Sequence, residues 1–236
     1  VRSSAASDVY KRQMSDLYDS SIDSRYQAYW RDTWYATTAT DKLSVGDTAF
    51  YLPKDAWSKA QIDSKNYKVF NPEFSESLGS DYSTVSNRVF LHLKKFDDVK
   101  RATMNEEKGT RDWVCFRAAE AYLLAGEAYY RAGDVDNALK YINTLRRNCA
   151  IEGKEKEMEI SASDLSVDFI LDERARELCG EGKRWYDLKR LGKLIERTDL
   201  HNKKAHGNMK PFHELRPIPQ SQIDRCTNVY PQNPQW

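Results

Sequence analysis

The chain has 236 residues, 40% hydrophobic and 31% charged, which is enough to bury the core of one or two globular units. Its 37 Lys and Arg residues nearly balance its 36 Asp and Glu residues, so the net charge is +1 and nucleic acid is disfavoured as a partner. Nowhere does the sequence hold the run of about 20 apolar residues that a membrane-spanning helix needs.

The first 13 residues, "VRSSAASDVYKRQ", are polar and rich in small residues, and they lack the apolar run of a signal peptide. They resemble translated linker sequence of the kind found at the ends of assembled sequence fragments. We expect residues 1–13 to be non-native and to lie outside the fold.

Residues 14–105 are aromatic, rich in turn-forming residues and only weakly periodic. The stretch "SRYQAYWRDTWYATT" alternates in a way that predicts extended structure, and "RVFLHLKKF" predicts a short strand. Between them lie loop sequences with many Gly, Pro, Asn and Ser residues. Long irregular regions in globular chains often carry function, so we expect the ligand face here.

Residues 106–236 have mainly helical patterns. In "DWVCFRAAEAYLLAGEAYYRAGD" the packing residues recur every three or four positions, and Gly133-Asp134 predicts the helix end. The stretch "VDNALKYINTLRRN" predicts a second helix that completes a hairpin. The hairpin resembles one tetratricopeptide unit, with Gly126 allowing a close approach and Tyr129 filling the crossing. A single unit must stack on further helices.

The segment "DERARELCGEGKRWYDLKRLGKL", residues 172–194, combines an apolar stripe with charges of both signs. Spacing predicts three charge pairs along the helix, namely Asp172–Arg176, Arg174–Glu177 and Lys183–Asp187. Gly180 and Gly182 predict a break or a close backbone crossing between two helices. We interpret the segment as a paired, partly buried scaffold.

The cysteines, Cys115, Cys149, Cys179 and Cys226, are far apart and form no zinc-binding pattern, so we expect free thiols or core residues. His201, His206 and His213 with Glu214 lack the spacing of a metal site. Neither a metal nor a cofactor is expected.

Four segments taken together resemble one known family. They are "RAAEAYLLAGEAYYRAGD" with "NALKYINTLR", then "LDERARELCGEGKRWYDLKRLGKL", then "LRPIPQSQID", and finally "QNPQW". In this order they are similar to the SusD/RagB family of glycan-binding outer-membrane lipoproteins from Bacteroidetes. The stretch "DSRYQAYWRDTW" extends the resemblance to about residue 14, so residues 14–236 are expected to be the C-terminal part of a single domain of this family.

The resemblance implies a mainly α protein built on tetratricopeptide-like helical hairpins, with long irregular loops and a few short strands. It implies a surface-exposed protein that captures oligosaccharides for a SusC-like TonB-dependent transporter and has no catalytic centre. The family's signal peptide, lipidated cysteine and early repeats are not in this sequence, so any membrane attachment would come from an N-terminal lipid anchor outside it.

Sugar binding requires flat aromatic rings for the CH face of a pyranose and polar groups for its hydroxyls. The loop-rich part supplies both kinds of residue. We expect Trp57 and Tyr82 to contact ligand, because no helical stripe requires them for packing, together with Trp34, Tyr35, Asn87 and Arg88. Trp113 and Trp185 lie on helical stripes and are expected in the core.

Two other classes of function are open to the sequence. Glu173, Glu177 and Glu181 could suggest a glycosidase pair, but neighbouring Arg and Lys residues would keep them ionised and deny one of them the raised pKa of a general acid. A tetratricopeptide adaptor that binds a peptide would need about three adjacent repeats, and one is visible. Glycan capture is therefore the favoured function, with the adaptor as the alternative.

Overall fold

Helices predominate in the regular structure of the computed structural model, which describes residues 14–74, 84–85, 90–103, 106, 109–202 and 205–236. The mainly α class is thereby confirmed. The helices are α1 (Arg25–Tyr29), α2 (Lys59–Asp63), α3 (Ala118–Arg131), α4 (Val135–Asn148), α5 (Val167–Glu177), α6 (Arg184–Arg190), α7 (Leu194–His201) and α8 (Gln220–Ile223), with 3-10 turns at Lys94–Phe96 and Pro211–Glu214. No helix in these described ranges is both long and apolar enough to cross a membrane.

The strands are short and lie in the first half of the chain. They are β1 (Trp30–Arg31), β2 (Thr33–Tyr35), β3 (Thr48–Tyr51), β4 (Lys68–Val69), β5 (Asn71–Phe74), β6 (Thr84–Val85) and β7 (His92–Leu93). β2 pairs antiparallel with β3, β3 pairs parallel with β4, and β1 pairs antiparallel with β7. β5 pairs parallel with β6.

The extended structure expected around Trp30 is confirmed only in part. Residues 25–29 form the short helix α1, and the chain becomes extended at Trp30. In the "RVFLHLKKF" stretch, the described residues form the two-residue strand β7 and then a 3-10 turn. Arg25 and Tyr26 of this short helix are both buried.

The predicted hairpin is present in α3 and α4. Gly133 takes the left-handed backbone conformation at φ +82° that ends α3, and the Asp134 carboxylate accepts the backbone N–H of Asn137 to begin α4. Gly126 is where the helices meet most closely, because a Cβ there would lie 2.7 Å from Cγ1 of Ile142. Tyr129 packs beside this crossing and stacks on Tyr141.

The hairpin packs on α5 through two apolar clusters. Ala138 and Ile142 of α4 meet Ile170 of α5, and Leu123 and Leu145 meet Leu178 just after it. The Ser166 hydroxyl caps the start of α5 by accepting the backbone N–H of Phe169. The hairpin therefore buries its inner face against a downstream helix.

The helix break expected after α5 is confirmed. α5 ends at Glu177, and both Gly180 and Gly182 have positive φ angles, +77° and +74°. The break places Gly180 against the side chains of Phe96 and Leu93, where no room remains for a Cβ atom. α6 then begins at Arg184.

The chain divides into two compact units, a larger one that ends at Arg184 and a smaller one that begins at Trp185. In the smaller unit, α6 and α7 bury Leu188 and Leu194. The Gln232 side chain accepts the backbone N–H of Ile218 and donates to its carbonyl oxygen, which holds the final segment in place. The single-domain organisation suggested by the sequence stays a prediction.

The structure corrects the expectation that Trp113 lies in the core. Trp113 is 70% exposed, because the chain is irregular until α3 begins at Ala118. The periodic stripe in the sequence thus begins before the helix does. Trp185 is only partly buried, and the guanidinium of Arg216 lies 4.7 Å from its ring centre.

All four cysteines are free thiols. Burial raises the pKa of Cys149 to about 12 and that of Cys179 to about 11. Both side chains therefore stay neutral at physiological pH, as core residues do.

Candidate functional site

Trp57 lies on the loop between β3 and α2, and its backbone is fixed from both sides. Its N–H donates to Oδ1 of Asn71 at 2.9 Å, and Nδ2 of Asn71 donates back to the Trp57 carbonyl oxygen at 2.9 Å. Directly after it, Ser58 and Gln61 form a capping box that begins α2. These contacts fix the backbone that carries the indole.

The Trp57 ring is partly exposed and has an aromatic and a cationic neighbour. The ring of Tyr51 lies 5.4 Å away at a tilt of 52°, and Nζ of Lys65 lies 5.6 Å from the indole centre. We name the pair Trp57 and Tyr51 the aromatic platform. A flat ring with a hydrogen-bond donor at its edge suits the apolar face and hydroxyl rim of a sugar.

Trp34, on β2, packs within the protein against Phe50 on the neighbouring strand β3. Its ring stacks on Phe50 at 4.9 Å and 19°, and Phe50 packs edge-on to Phe70 beside the fully buried Leu52. The Trp34 face that touches Phe50 is unavailable to ligand. Tyr35, at the end of β2, is 62% exposed.

The structure thus separates the sequence-predicted ligand residues into groups. Trp57 and Tyr35 present accessible aromatic surface, and Trp34 contributes mainly to packing. Tyr82, Asn87 and Arg88 lie outside the described residues. The assignment of these six residues to a ligand site stays a prediction.

A second feature, a basic pocket of about 340 Å³, was not predicted from the sequence. It lies between the 3-10 turn Lys94–Phe96 and the irregular segment before α3. Its lining residues are Ala28, Tyr29, Lys94, Lys95, Phe96, Arg111, Val114, Arg117 and Glu181. The only local signal for it is the density of Lys and Arg in stretches without periodicity.

The wall of the basic pocket is fixed by ion pairs to Glu181. Lys95 Nζ donates to Glu181 at 2.6 Å and to the carbonyl oxygens of Glu177 and Cys179. Arg117 donates to both oxygens of Glu181 and also to Glu177. These donors are already used within the protein.

Next to the pocket, and sharing two of its lining residues, lies a buried charge cluster made of Arg25, Arg117, Arg146, Arg176, Glu173, Glu177 and Glu181. Glu173 lies at its centre with 0% of its surface exposed. It accepts hydrogen bonds from Arg25 at 2.8 Å, from Arg176 at 2.9 Å and from Arg146. The scaffold interpretation of residues 172–194 is thereby confirmed in its main point, that the charges are paired and partly buried.

Several of these charges have partners that were not among the three predicted pairs. Arg176 pairs with Glu173, and Asp187 pairs with Arg190. Arg174 and Lys183 both reach Glu120 on α3. Tertiary packing thus supplies Arg174 and Lys183 with a partner on another helix.

The carboxylates of the buried charge cluster are held ionised. Burial alone would raise the pKa of Glu173, but Arg25, Arg176 and Arg146 outweigh burial and hold that pKa far below its usual range. Burial is likewise outweighed at Glu177 by Arg25 and Arg117, and at Glu181 by Arg117 and Lys95, so both pKa values are lowered. None of the three has the raised pKa of a glycosidase general acid.

These depressed pKa values predict the direction of pH-dependent stability. An unfolded Glu has a pKa of about 4.3, so below that pH the unfolded state binds more protons than the folded state. The stabilisation by Glu173, Glu177 and Glu181 is complete above about pH 5 and is lost as the pH falls. Urea unfolding between about pH 7 and pH 3 should show the free energy of unfolding falling with acid, and a flat profile would contradict this.

The histidine segment gives no metal geometry. Among the residues that the structure describes, no group of three or more His, Cys, Asp or Glu side chains could hold a metal ion. Nδ1 of His206 lies 3.3 Å from Oδ2 of Asp199, and the ring of His213 packs against those of Phe212 and Trp236. Two of the histidines are thus accounted for by contacts within the smaller unit.

The chain is similar in sequence to several proteins named SusD or SusD-like. "SusD-like protein P25" of Formosa agariphila is 34% identical over 113 residues, covering 47% of this chain and 21% of the relative. "Starch-binding protein SusD" of Bacteroides thetaiotaomicron is 31% identical over 122 residues, covering 50% of this chain and 20% of the relative. The aligned part of the chain thus spans about a fifth of the length of these relatives.

A solved structure is also similar. The crystal structure of a SusD superfamily protein from Bacteroides thetaiotaomicron is 31% identical, with a TM-score of 0.44, and the match covers 53% of this chain and 28% of that one. The sequence profile of the SusD family, SusD_RagB, matches residues 6–236. That match begins inside the stretch 1–13, whose assignment as linker stays a prediction. Because the profile covers nearly the whole chain, the protein belongs to the SusD family.

Proposed function

We propose that the protein binds carbohydrate as a cell-surface component and has no catalytic role. Membership of the SusD family supports this, as does the relative in Bacteroides thetaiotaomicron that is named a starch-binding protein. The observation that carries the proposal is the aromatic platform, because Trp57 is held by Asn71 and keeps part of its ring exposed. A preformed aromatic surface loses little conformational entropy when a sugar stacks on it.

The family context extends the proposal to import. In this extended proposal, the protein captures oligosaccharides at the outer membrane, where a lipid anchor holds it, and delivers them to a SusC-like TonB-dependent transporter. The ligand residues that we propose from the sequence, besides Trp57, are Tyr35, Trp34, Tyr82, Asn87 and Arg88. Co-purification with the transporter from outer-membrane extracts would test the partnership.

Replacing Trp57 by alanine should weaken glycan binding about tenfold or more, equal to about 1.4 kcal/mol of binding free energy, because the stacking surface is removed. The measurement is isothermal titration calorimetry of the protein with a panel of neutral and acidic oligosaccharides. Tyr186→Ala is the control, since Tyr186 is an exposed aromatic residue that belongs to the smaller unit and not to the aromatic platform.

Circular dichroism melting should show that Trp57→Ala keeps the fold, and Trp57→Phe should retain part of the affinity. Unchanged affinity of Trp57→Ala for every glycan that the parent binds would remove the aromatic platform from the site. Failure of the parent to bind any glycan, or turnover of a glycan, would overturn the proposed function.

A further inference from the structure

The basic pocket carries more positive charge than its own carboxylate can balance. Four cations line it, Lys94, Lys95, Arg111 and Arg117, against the one carboxylate of Glu181. Lys95 and Arg117 are paired with Glu181, and Arg117 also with Glu177 behind it. Their charge is therefore largely neutralised within the protein.

Lys94 and Arg111 supply the excess charge. Arg111 donates one guanidinium N–H to the carbonyl oxygen of Lys95 at 2.9 Å, which places it beside the backbone that carries Lys94. In the part of the chain that the structure describes, neither side chain forms an ion pair. The remaining guanidinium N–H groups of Arg111 and the ammonium of Lys94 are available to an anionic group.

The same pocket offers an aromatic surface to a ligand. Phe96 lines it, and the ring of Trp113 stacks on Phe96 at a centroid distance of 6.3 Å and an interplanar angle of 12°. Trp113 is largely exposed, and Tyr29 lines the pocket from α1. Flat rings beside unneutralised cations fit a ring-shaped ligand that carries a negative charge.

Rigidity distinguishes this pocket from a loose surface patch. Phe96 is wedged against Gly180, where a Cβ atom would lie 2.5 Å from the phenyl ring. Lys95, whose side chain is largely buried, is anchored by three hydrogen bonds to residues of the segment 177–181. The aromatic wall and the backbone carrying Lys94 are therefore held by the scaffold before any ligand binds.

We propose that the basic pocket binds an acidic sugar residue, with its carboxylate or sulfate between Arg111 and Lys94 and its ring against Phe96 and Trp113. The proposal rests on the proposed carbohydrate-binding function and adds a substrate class to it, namely glycans that contain acidic sugars. The aromatic platform at Trp57 would bind sugar rings without regard to charge. The basic pocket would select among glycans by charge.

The test compares three probes by calorimetric titration, an oligogalacturonate carrying carboxylates, a sulfated galactan oligosaccharide and a neutral malto-oligosaccharide. Arg111→Gln and Lys94→Ala should each weaken binding of an acidic probe about tenfold, the loss expected for one charge-assisted hydrogen bond. The affinity of the two variants for the neutral malto-oligosaccharide should differ from that of the parent by less than twofold. Comparison of the two acidic probes identifies carboxylate or sulfate as the preferred group.

Lys59→Ala is the matched control, since Lys59 is an exposed cation on α2 that does not line the pocket. Higher salt should lower the affinity for an acidic probe more in the parent protein than in Arg111→Gln. Acidic binding that is unchanged in both pocket variants would overturn this inference, and would leave the proposed function standing if Trp57→Ala still weakens binding. Equal losses for neutral and acidic probes would also overturn it.

Discussion

Glu173→Gln should destabilise the protein by about 3–5 kcal/mol, the effect expected when one partner of a buried ion pair is removed. Glu173 is fully buried and forms ion pairs with Arg25, Arg146 and Arg176. Glutamine keeps the shape but removes the negative charge and turns one acceptor into a donor. The buried guanidinium groups would then face each other with one carboxylate fewer.

The measurement is the free energy of unfolding from urea denaturation, with the midpoint and slope determined separately. Glu196→Gln is the matched control, because Glu196 is exposed and pairs with Lys193 at the surface. That control should lose less than about 1 kcal/mol. Glu173→Gln should also flatten the fall of stability between pH 5 and pH 3. Equal stability of the two variants would show that the cluster does not depend on Glu173.

The helical hairpin could be predicted because its signals are local. Apolar residues recur at helical spacing in α3 and α4, and Gly133-Asp134 marks the turn with one residue for the left-handed conformation and one for the cap. The break at Gly180 and Gly182 is a local signal of the same kind. Each depends on the conformational preferences of neighbouring residues, which a sequence shows directly.

The buried charge cluster could be predicted only in outline. Helix spacing correctly indicates that the charges of residues 172–194 are paired, but it cannot supply Arg25, which arrives from 148 residues earlier in the chain and pairs with Glu173. Trp113 shows the opposite error, since a periodic stripe was taken to extend beyond the true start of α3 at Ala118. Residues that are paired only by tertiary packing have no regular spacing in the sequence from which the pair could be predicted.

The aromatic platform and the basic pocket also differ in how far the sequence could predict them. Trp57 could be selected because it lies in polar, non-periodic sequence, where an indole has no helical stripe to join. The basic pocket combines the turn at Lys94–Phe96, Arg111 and Glu181, which come from segments that have no periodic pattern in common. Its shape depends on Phe96 packing against Gly180, which is a contact between residues 84 positions apart.

Gly180→Ala is expected to destabilise the protein by about 2–5 kcal/mol through two separable effects. The positive φ angle of +77° costs an L-residue about 1–2 kcal/mol. A Cβ atom would also lie 2.5 Å from Cε2 of Phe96 and 2.8 Å from Cδ2 of Leu93, and such overpacking costs about 1–3 kcal/mol. The ring of Phe96 must move, and the wall of the basic pocket would move with it.

Gly182→Ala isolates the first effect. Gly182 has nearly the same backbone angle, φ +74°, but nothing lies within 4 Å of a Cβ at that position. Urea unfolding should therefore give a loss of about 1–2 kcal/mol for Gly182→Ala and a larger loss for Gly180→Ala. Because Trp113 stacks on Phe96, its fluorescence should change in the folded state of Gly180→Ala and not in that of Gly182→Ala. Equal losses in the two variants, with unchanged fluorescence in both, would mean that Phe96 is not wedged against the backbone at Gly180.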